Sequence, residues 1–134
     1  MKKFNFLLAV SLFLFISMMG CKKDEPTPCE LLEGNWQCES WREDGEEQLG
    51  SLAYISYSEV DFDKLAGDKG DFDWTANYTD GTSEVFTGKY EVNATCSEIT
   101  LTVTGYDVIE LEFEISNDEL TLDGPGVDWN FKRD

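Results

Sequence analysis

Residues 98–116, EITLTVTGYDVIELEFEIS, decide the fold class because their side chains alternate with a period of two. Ile99, Leu101 and Val103 fall on one face of a strand, and threonines fall on the other. After the short break TGYD, apolar residues alternate in the same way with three glutamates. This alternation predicts two antiparallel strands with one buried and one solvated face, joined by a tight turn.

The same period extends over the chain from Gly34 onward, and short turn signals such as Asp80-Gly81 separate the runs. No stretch after residue 34 has sustained helical periodicity, and one short helical turn is predicted at residues 30–33. Consecutive hairpins favour an all-β, antiparallel up-and-down barrel, because closure removes exposed strand edges. An open two-sheet β-sandwich is the alternative. The eight predicted strands are residues 35–42, 53–62, 71–79, 84–92, 98–104, 108–115, 119–123 and 127–133.

Composition limits the function. The chain has 134 residues, enough for one folded domain, and its 28 acidic against 10 basic residues give a net charge of −18. Such a charge repels phosphate backbones, so nucleic-acid binding is not expected. The absence of histidine rules out Ser-His-Asp and Cys-His catalysis and histidine-based zinc sites. We therefore expect a chain that is not an enzyme and has no catalytic residues, metal or cofactor.

The first twenty residues have the character of an export signal. Lys2 and Lys3 precede an apolar segment, residues 4–19, which at sixteen residues is shorter than the roughly 20 that a membrane-spanning helix needs. Gly20 is a small residue at the position expected before a cleavage site. Residues 1–20 are therefore predicted to be a signal peptide.

The cysteine that follows indicates the kind of signal. Gly20-Cys21 resembles the end of a bacterial lipoprotein signal, which implies that Cys21 carries lipid and attaches the protein to a membrane. The next residues, Lys22-Lys23-Asp24-Glu25, resemble the export tag of Bacteroidetes-type surface lipoproteins. That resemblance implies an outer-membrane, cell-surface location. The predicted organisation is a signal peptide (1–20), a lipidated tether (21–30) and a barrel domain (31–134).

The start and end of the barrel carry a second resemblance. Gly34-x-Trp36 opens the first strand, and Arg133 lies near the end of the last strand. This pair is similar to the lipocalin signature, in which the arginine packs across the tryptophan ring and closes the barrel floor. The chain as a whole resembles the small lipocalin-like lipoproteins of Bacteroidetes. The resemblance implies that Gly34, Trp36 and Arg133 hold the barrel shut without contacting a ligand.

Two functions remain open at this point. One is a lipid-anchored lipocalin-like protein that binds a small apolar ligand inside the barrel. The other is a solid-barrel surface lipoprotein that contacts a protein or a glycan. The candidate ligand-lining residues are aromatic and are expected to face inward: Trp74, Tyr78, Phe86, Tyr90, Phe113 and Trp129.

The remaining three cysteines are assigned from the expected barrel topology. Cys29 precedes the first strand, and Cys96 lies between the fourth and fifth strands, so both fall at the same end of the barrel. Exported compartments permit disulfides, so a Cys29–Cys96 bond is predicted, with Cys38 as a buried free thiol. Cys38–Cys96 is the alternative pairing.

Overall fold

A computed structural model of the chain describes residues 25–50 and 54–134. The predicted signal peptide and Cys21 lie outside the described residues. No helix in the described part of the chain is both long and apolar enough to cross a membrane. Within residues 25–50 and 54–134 the elements are one helix, α1 (Pro28–Leu31), and nine strands: β1 (Gly34–Glu43), β2 (Glu46–Glu47), β3 (Ile55–Phe62), β4 (Lys69–Tyr78), β5 (Ser83–Val92), β6 (Glu98–Val103), β7 (Val108–Ser116), β8 (Glu119–Gly124) and β9 (Val127–Arg133).

The strands form a closed antiparallel barrel. From β3 to β9 each strand pairs with the next, β1 pairs with β3, and β9 returns to pair with β1. The two-residue strand β2 only folds back on β1 in a hairpin, so eight strands make the wall. The predicted eight-stranded barrel is confirmed, and the open sandwich is not formed.

Strand β1 contains a β-bulge that changes which side chains face inward. Cys38 pairs with Phe131, but the next pair is Ser40 with Asn130, so Glu39 is an extra residue in β1. Beyond the bulge, Trp41 is opposite Trp129 and shares its inward face. Strict alternation from Trp36 and Cys38 would have turned Trp41 outward.

The two ends of the barrel differ in construction. At one end lie α1, the start of β1 and the end of β9, together with the β3–β4 and β5–β6 connections; we call this the closed end. At the other end lie the β1–β2, β4–β5, β6–β7 and β8–β9 turns; we call this the open end. Among the described residues, the four large apolar side chains that are most exposed lie toward the open end: Tyr54, Val85, Tyr106 and Val108.

Large rings fill most of the barrel interior. In the described part of the chain, eight aromatic side chains are at least 94% buried: Trp36, Phe62, Phe72, Trp74, Tyr90, Phe113, Trp129 and Phe131. They pack with aliphatic residues from the other strands, such as Leu101 and Leu122, which have no exposed surface. The inward faces that the period-two pattern predicts therefore form one continuous core.

Candidate functional site

The closed end is built around Trp36 and Arg133. The guanidinium carbon of Arg133 lies 4.1 Å from the centroid of the Trp36 ring, within the range of a cation–π contact. The Arg133 guanidinium also donates to the carbonyl oxygens of Leu31, at 2.6 Å, and of Glu33, at 3.0 Å. These carbonyls belong to the last residue of α1 and to the segment just after it, where backbone acceptors lack intrahelical donors. Arg133 therefore joins the helix end to the last strand.

Backbone geometry at Gly34 permits this arrangement. Its backbone φ angle is +121°, a value that residues with a side chain rarely adopt. A Cβ atom at this position would lie 3.1 Å from Nη1 of Arg133. The Trp36 indole N–H donates to the carbonyl oxygen of Leu32 at 2.8 Å. The residues of the Gly-x-Trp resemblance thus contact one another and α1 at the closed end.

A disulfide fixes α1 to the barrel wall. Cys29 and Cys96 are bonded, with their Cα atoms 5.3 Å apart and 67 positions apart in the chain. The predicted pairing is confirmed, and Cys38 is the free, buried cysteine in the described part of the chain. Cys29 lies in α1, so the fold begins inside the segment assigned to the tether. A capping box of Thr27 and Glu30 starts this helix.

The buried position of Cys38 makes it chemically inert. Burial raises the pKa of the Cys38 thiol to about 12, although a hydrogen bond with the Ser40 backbone opposes the shift. Since the thiolate is the reactive form, this cysteine carries no nucleophilic chemistry near neutral pH.

Two of the six predicted ligand-lining residues lie in the half of the barrel nearer the closed end. Tyr90 packs edge-on against Phe62, with ring centroids 5.0 Å apart, and its hydroxyl donates to the Asp63 carbonyl. Burial raises the pKa of Tyr90 to about 12, and the negative charge of Asp63 adds to the effect. Phe113 is also buried, and its amide donates to the Ser97 carbonyl beside the disulfide loop. Both rings fill the core at this level.

Trp74 and Trp129 meet in the half nearer the open end, where Trp41 covers them. The ring centroids of Trp74 and Trp129 are 5.0 Å apart, and Trp41 lies 5.6 Å from each. Trp74 and Trp129 are 6% and 5% exposed, whereas Trp41 is only partly buried. We call Trp41, Trp74 and Trp129 the tryptophan cluster.

The three indole N–H groups of the cluster differ in their partners. Trp74 donates to the hydroxyl of the fully buried Ser58 at 2.7 Å, and that hydroxyl donates to the Thr75 carbonyl. Trp41 donates to a carboxylate oxygen of Glu43 at 3.1 Å on the exposed side. The Trp129 N–H is buried and has no hydrogen-bond partner in the described structure. An unpaired buried donor is unusual in a folded protein.

Glu47 holds the bulge that turns Trp41 inward. Its carboxylate accepts hydrogen bonds from the Ser40 hydroxyl at 2.7 Å, the Trp41 amide at 2.8 Å and the Leu49 amide at 3.2 Å. Partial burial acts to raise the pKa of Glu47, but the three hydrogen bonds, with Arg42 nearby, outweigh it and lower the pKa. The ionised carboxylate is therefore the form that fits this position.

The last two predicted ligand-lining residues lie at the rim. Phe86 pairs across the sheet with Trp74 and packs edge-on against Tyr106, with centroids 5.7 Å apart. Tyr78 packs against Tyr54 at 4.9 Å. Partial burial raises the pKa of Tyr78 to about 12, and its hydrogen bond to Glu84 contributes. Phe86 borders the tryptophan cluster, whereas Tyr78 belongs to the surface of the rim.

Clefts of several hundred Å³ occur outside the barrel interior. One of about 670 Å³ lies at the closed end beside the disulfide, between α1 and the β3–β4 and β5–β6 connections. Another, of about 520 Å³, lies on the outer wall over β6, β7 and β8 and is bordered by Glu98, Glu110, Glu112 and Asp123. No group of three or more acidic or cysteine side chains within residues 25–50 and 54–134 is arranged to hold a metal ion.

Comparison with known proteins identifies the family. A family model described as a lipocalin-like domain matches residues 32–122, more than half of the chain. The chain belongs to the lipocalin-like family. No curated protein matches its sequence. The expected lipocalin-like relationship is thereby confirmed.

Two solved structures share the β-barrel fold of this chain. A redesigned β-barrel has a TM-score of 0.60 and 15% identity, over 84% of this chain and 99% of that one. A de novo designed fluorescence-activating β-barrel has a TM-score of 0.56 and 16% identity, over 81% of this chain and all of that one. At this identity the likeness concerns the fold alone.

Sequence reasoning missed Trp41 and Glu47. The signal for Trp41 was present, because Cys38 and Trp41 are three residues apart in a strand whose inward residues otherwise recur every two. An odd spacing between two residues of buried type indicates a bulge. Glu47 gave no such signal, since its role depends on the hairpin that returns it to β1.

Proposed function

We propose that the chain is a lipid-anchored lipocalin-like protein of the outer membrane, exposed at the cell surface, which takes a small apolar ligand at the open end of its barrel. The observation that carries the binding part is the tryptophan cluster. It offers ring faces beneath one partly exposed residue, Trp41, at the end of the barrel where the described residues form turns. Aromatic walls with few polar groups are typical of small-molecule sites.

A binding site for a ligand has to form by movement of side chains. The interior rings are packed against one another, with Trp74 also contacting Phe131 at 5.5 Å. Trp41 is the member of the cluster with partial exposure, and its indole N–H donates to Glu43 within its own strand. Displacement of the Trp41 ring toward solvent would uncover the faces of Trp74 and Trp129.

The anchoring part rests on the sequence around Cys21. The chain enters the fold at Thr27, at the closed end. A tether from Cys21 to Thr27 spans at most about 20 Å, at roughly 3.5 Å per residue. Lipid on Cys21 would therefore hold the closed end near the membrane, and the open end would face away from it.

Lipidation is tested by replacing the cysteine. Cys21→Ala is expected to move the protein from the membrane fraction to the soluble fraction and to abolish incorporation of radiolabelled fatty acid. Cys38→Ala is the matched control, because it also removes a cysteine but leaves the signal intact. Unchanged membrane attachment and acylation of Cys21→Ala would disprove the anchor.

Ligand binding is tested by a screen of fatty acids, sterols, haem-like rings, small glycans and small aromatic compounds. A ligand at the cluster should quench tryptophan emission and raise the melting temperature by an amount that grows with ligand concentration. Trp41→Ala should change the affinity of a hit, whereas Trp36→Phe, at the closed end, should leave it unchanged. No hit in either readout would exclude the ligand-carrier function.

A second function is favoured by the outer wall. Glu98 pairs directly with Glu112, and Glu112 with Asp123, so three carboxylates lie side by side across β6, β7 and β8. They border the cleft of about 520 Å³. Like charges placed opposite each other in a sheet are unfavourable, and a basic protein segment would relieve them. A failed ligand screen together with binding that is lost in Glu112→Gln would support this interaction role.

A further inference from the structure

We propose that the ligand taken at the open end is a flat, uncharged ring compound with a hydrogen-bond acceptor, and that this acceptor receives the indole N–H of Trp129. The proposal rests on the proposed binding function and specifies the chemistry of the same site. It specifies one hydrogen-bond donor, the Trp129 indole N–H, and the shape and charge of the ligand that binds there.

The first observation is the unpartnered donor. Trp129 is 95% buried, and its Nε1 atom has no acceptor among the described residues. The other three tryptophans do have acceptors, namely the Leu32 carbonyl, Glu43 and Ser58. A lone buried N–H inside an apolar cluster is satisfied when a bound molecule supplies an acceptor, and apolar contacts alone leave it unsatisfied.

The second observation is the geometry around that donor. Trp129 meets Trp41 at 70° and Trp74 at 66°, so ring faces and ring edges alternate in the cluster. Displacement of the Trp41 ring toward solvent would vacate the volume of one indole ring against Trp129 and Trp74. A planar molecule fills such a volume with the stacked or edge-on contacts that aromatic rings prefer, which a branched or globular apolar molecule cannot make.

The third observation is the charge of the open end. Of the six basic residues that the structure describes, Arg42 alone lies at this end, and it is paired with Glu47 at 3.7 Å. An approaching anion therefore meets a negative field, which lowers its rate and affinity of binding. The acidic residues around the open end are Glu43, Asp44, Glu46, Glu47, Asp80, Glu84, Asp107, Asp123 and Asp128.

Three probes of similar size separate these features. Quinoline is flat, neutral near pH 7.5 and carries a ring-nitrogen acceptor; naphthalene has the same shape and no acceptor; 2-naphthoate adds a negative charge. Affinities are measured by tryptophan emission on the folded barrel, and the indole N–H signals are followed by NMR on the ¹⁵N-labelled protein. The Trp129 signal is expected to shift with quinoline and to shift much less with naphthalene.

The variant test compares ratios of affinity. Trp129→Phe removes the donor and should reduce the affinity of quinoline relative to naphthalene by about 5- to 10-fold, the usual worth of one hydrogen bond. Trp74→Phe is the matched control, because it replaces an indole whose N–H is already bound to Ser58 by a smaller ring. It should weaken both probes and leave their ratio unchanged. 2-Naphthoate should bind more weakly than naphthalene, and high salt should narrow the gap.

The outcomes distinguish this proposal from the function on which it rests. If no probe binds, the proposed function fails. If the probes bind but the ratio is the same in Trp129→Phe, or the Trp129 N–H signal stays in place with quinoline, the donor is held by a neighbouring ring face and the inference is wrong. The NMR readout uses the unmodified protein, so it holds even if Trp129→Phe does not fold.

Discussion

Tryptophan residues lie at both the closed end and the open end of this barrel, but their surroundings differ. At the closed end, Trp36 is fully buried, its N–H is bound, and its ring is covered by Arg133. At the open end, Trp41 is partly exposed, and the N–H of Trp129 beneath it has no partner in the described structure. One end has its polar groups paired and a covalent link, whereas the other leaves a donor unpaired.

This difference between the two ends suggests that the closed end contributes mainly to stability and the open end mainly to binding. A disulfide, a cation–π contact and two arginine hydrogen bonds fix α1 across the closed end. The open end is covered by side chains and turns, which can move at lower cost. Changes at the closed end should therefore mainly alter the free energy of unfolding, and changes at the open end should mainly alter binding.

The largest expected effect compares one tryptophan from each end. Trp36→Ala should lower the free energy of unfolding by about 3–5 kcal/mol, because it leaves a cavity and removes the support for Arg133. Trp41→Ala should cost only about 1–2 kcal/mol, since part of that ring already contacts water. Chemical denaturation of both variants measures the difference. Equal losses would show that the two ends do not differ in packing.

Removal of the disulfide breaks the closed end in a different way. The Cys29→Ser, Cys96→Ser double variant should lose about 2–4 kcal/mol, because the unfolded chain regains the entropy of a 67-residue loop. Cys38→Ala is the control, as it alters a buried cysteine without removing a covalent link. Denaturation with tryptophan emission as the probe gives both values. A double variant as stable as the native protein would contradict a structural role for the bond.

A smaller effect is expected from Arg133→Lys. Lysine keeps the charge but cannot donate to the Leu31 and Glu33 carbonyls while it lies over Trp36. We expect a loss of about 1–2 kcal/mol in thermal or chemical unfolding. Lys132→Arg, which changes the neighbouring residue on the outer face, should have almost no effect. If Arg133→Lys left the free energy of unfolding unchanged, only the positive charge of Arg133 would matter at the closed end.

The smallest effect concerns Glu47 at the open end and depends on pH. Its folded-state pKa is lowered, so its contribution to stability is present above the unfolded pKa, about 4.3, and is lost as the pH falls through the folded value. Glu47→Gln should cost under about 1 kcal/mol at pH 7, because the carboxylate is largely exposed, and less below about pH 4.

Glu46→Gln makes the same change of charge one residue away and serves as the reference for Glu47→Gln. The measurement is the free energy of unfolding of both variants and the native protein between pH 7 and pH 3. Identical pH profiles for the two variants would show that Glu47 does not hold the bulge.

Much of the wall could be predicted from sequence, because period-two alternation fixes both the strands and their inward faces. The predicted strand at residues 84–92 is β5 to within one residue, and strand direction together with the inward position of Cys38 favoured the Cys29–Cys96 bond over Cys38–Cys96. The open end was less predictable. The bulge at Glu39 reverses the face of Trp41, and Glu47 reaches β1 only through the β2 hairpin, which has no periodicity of its own.

The candidate ligand-lining residues also show what alternation in the sequence cannot predict. Alternation assigns Tyr90 and Trp74 to one inward set, yet they lie at different heights in the barrel and contact different rings. Height along the axis depends on the tilt and register of the strands, which a single sequence does not display.

The most direct test of binding at the open end is a map of the residues that a small aromatic compound contacts. Quinoline is titrated into the ¹⁵N-labelled barrel domain, and the amide and indole signals are followed by NMR. We expect the largest changes at Trp41, Trp74 and Trp129, with the signals of Trp36 and Val92 at the closed end unchanged. Changes centred on the closed-end cleft or on the acidic outer wall, or no changes at any concentration, would contradict binding at the tryptophan cluster.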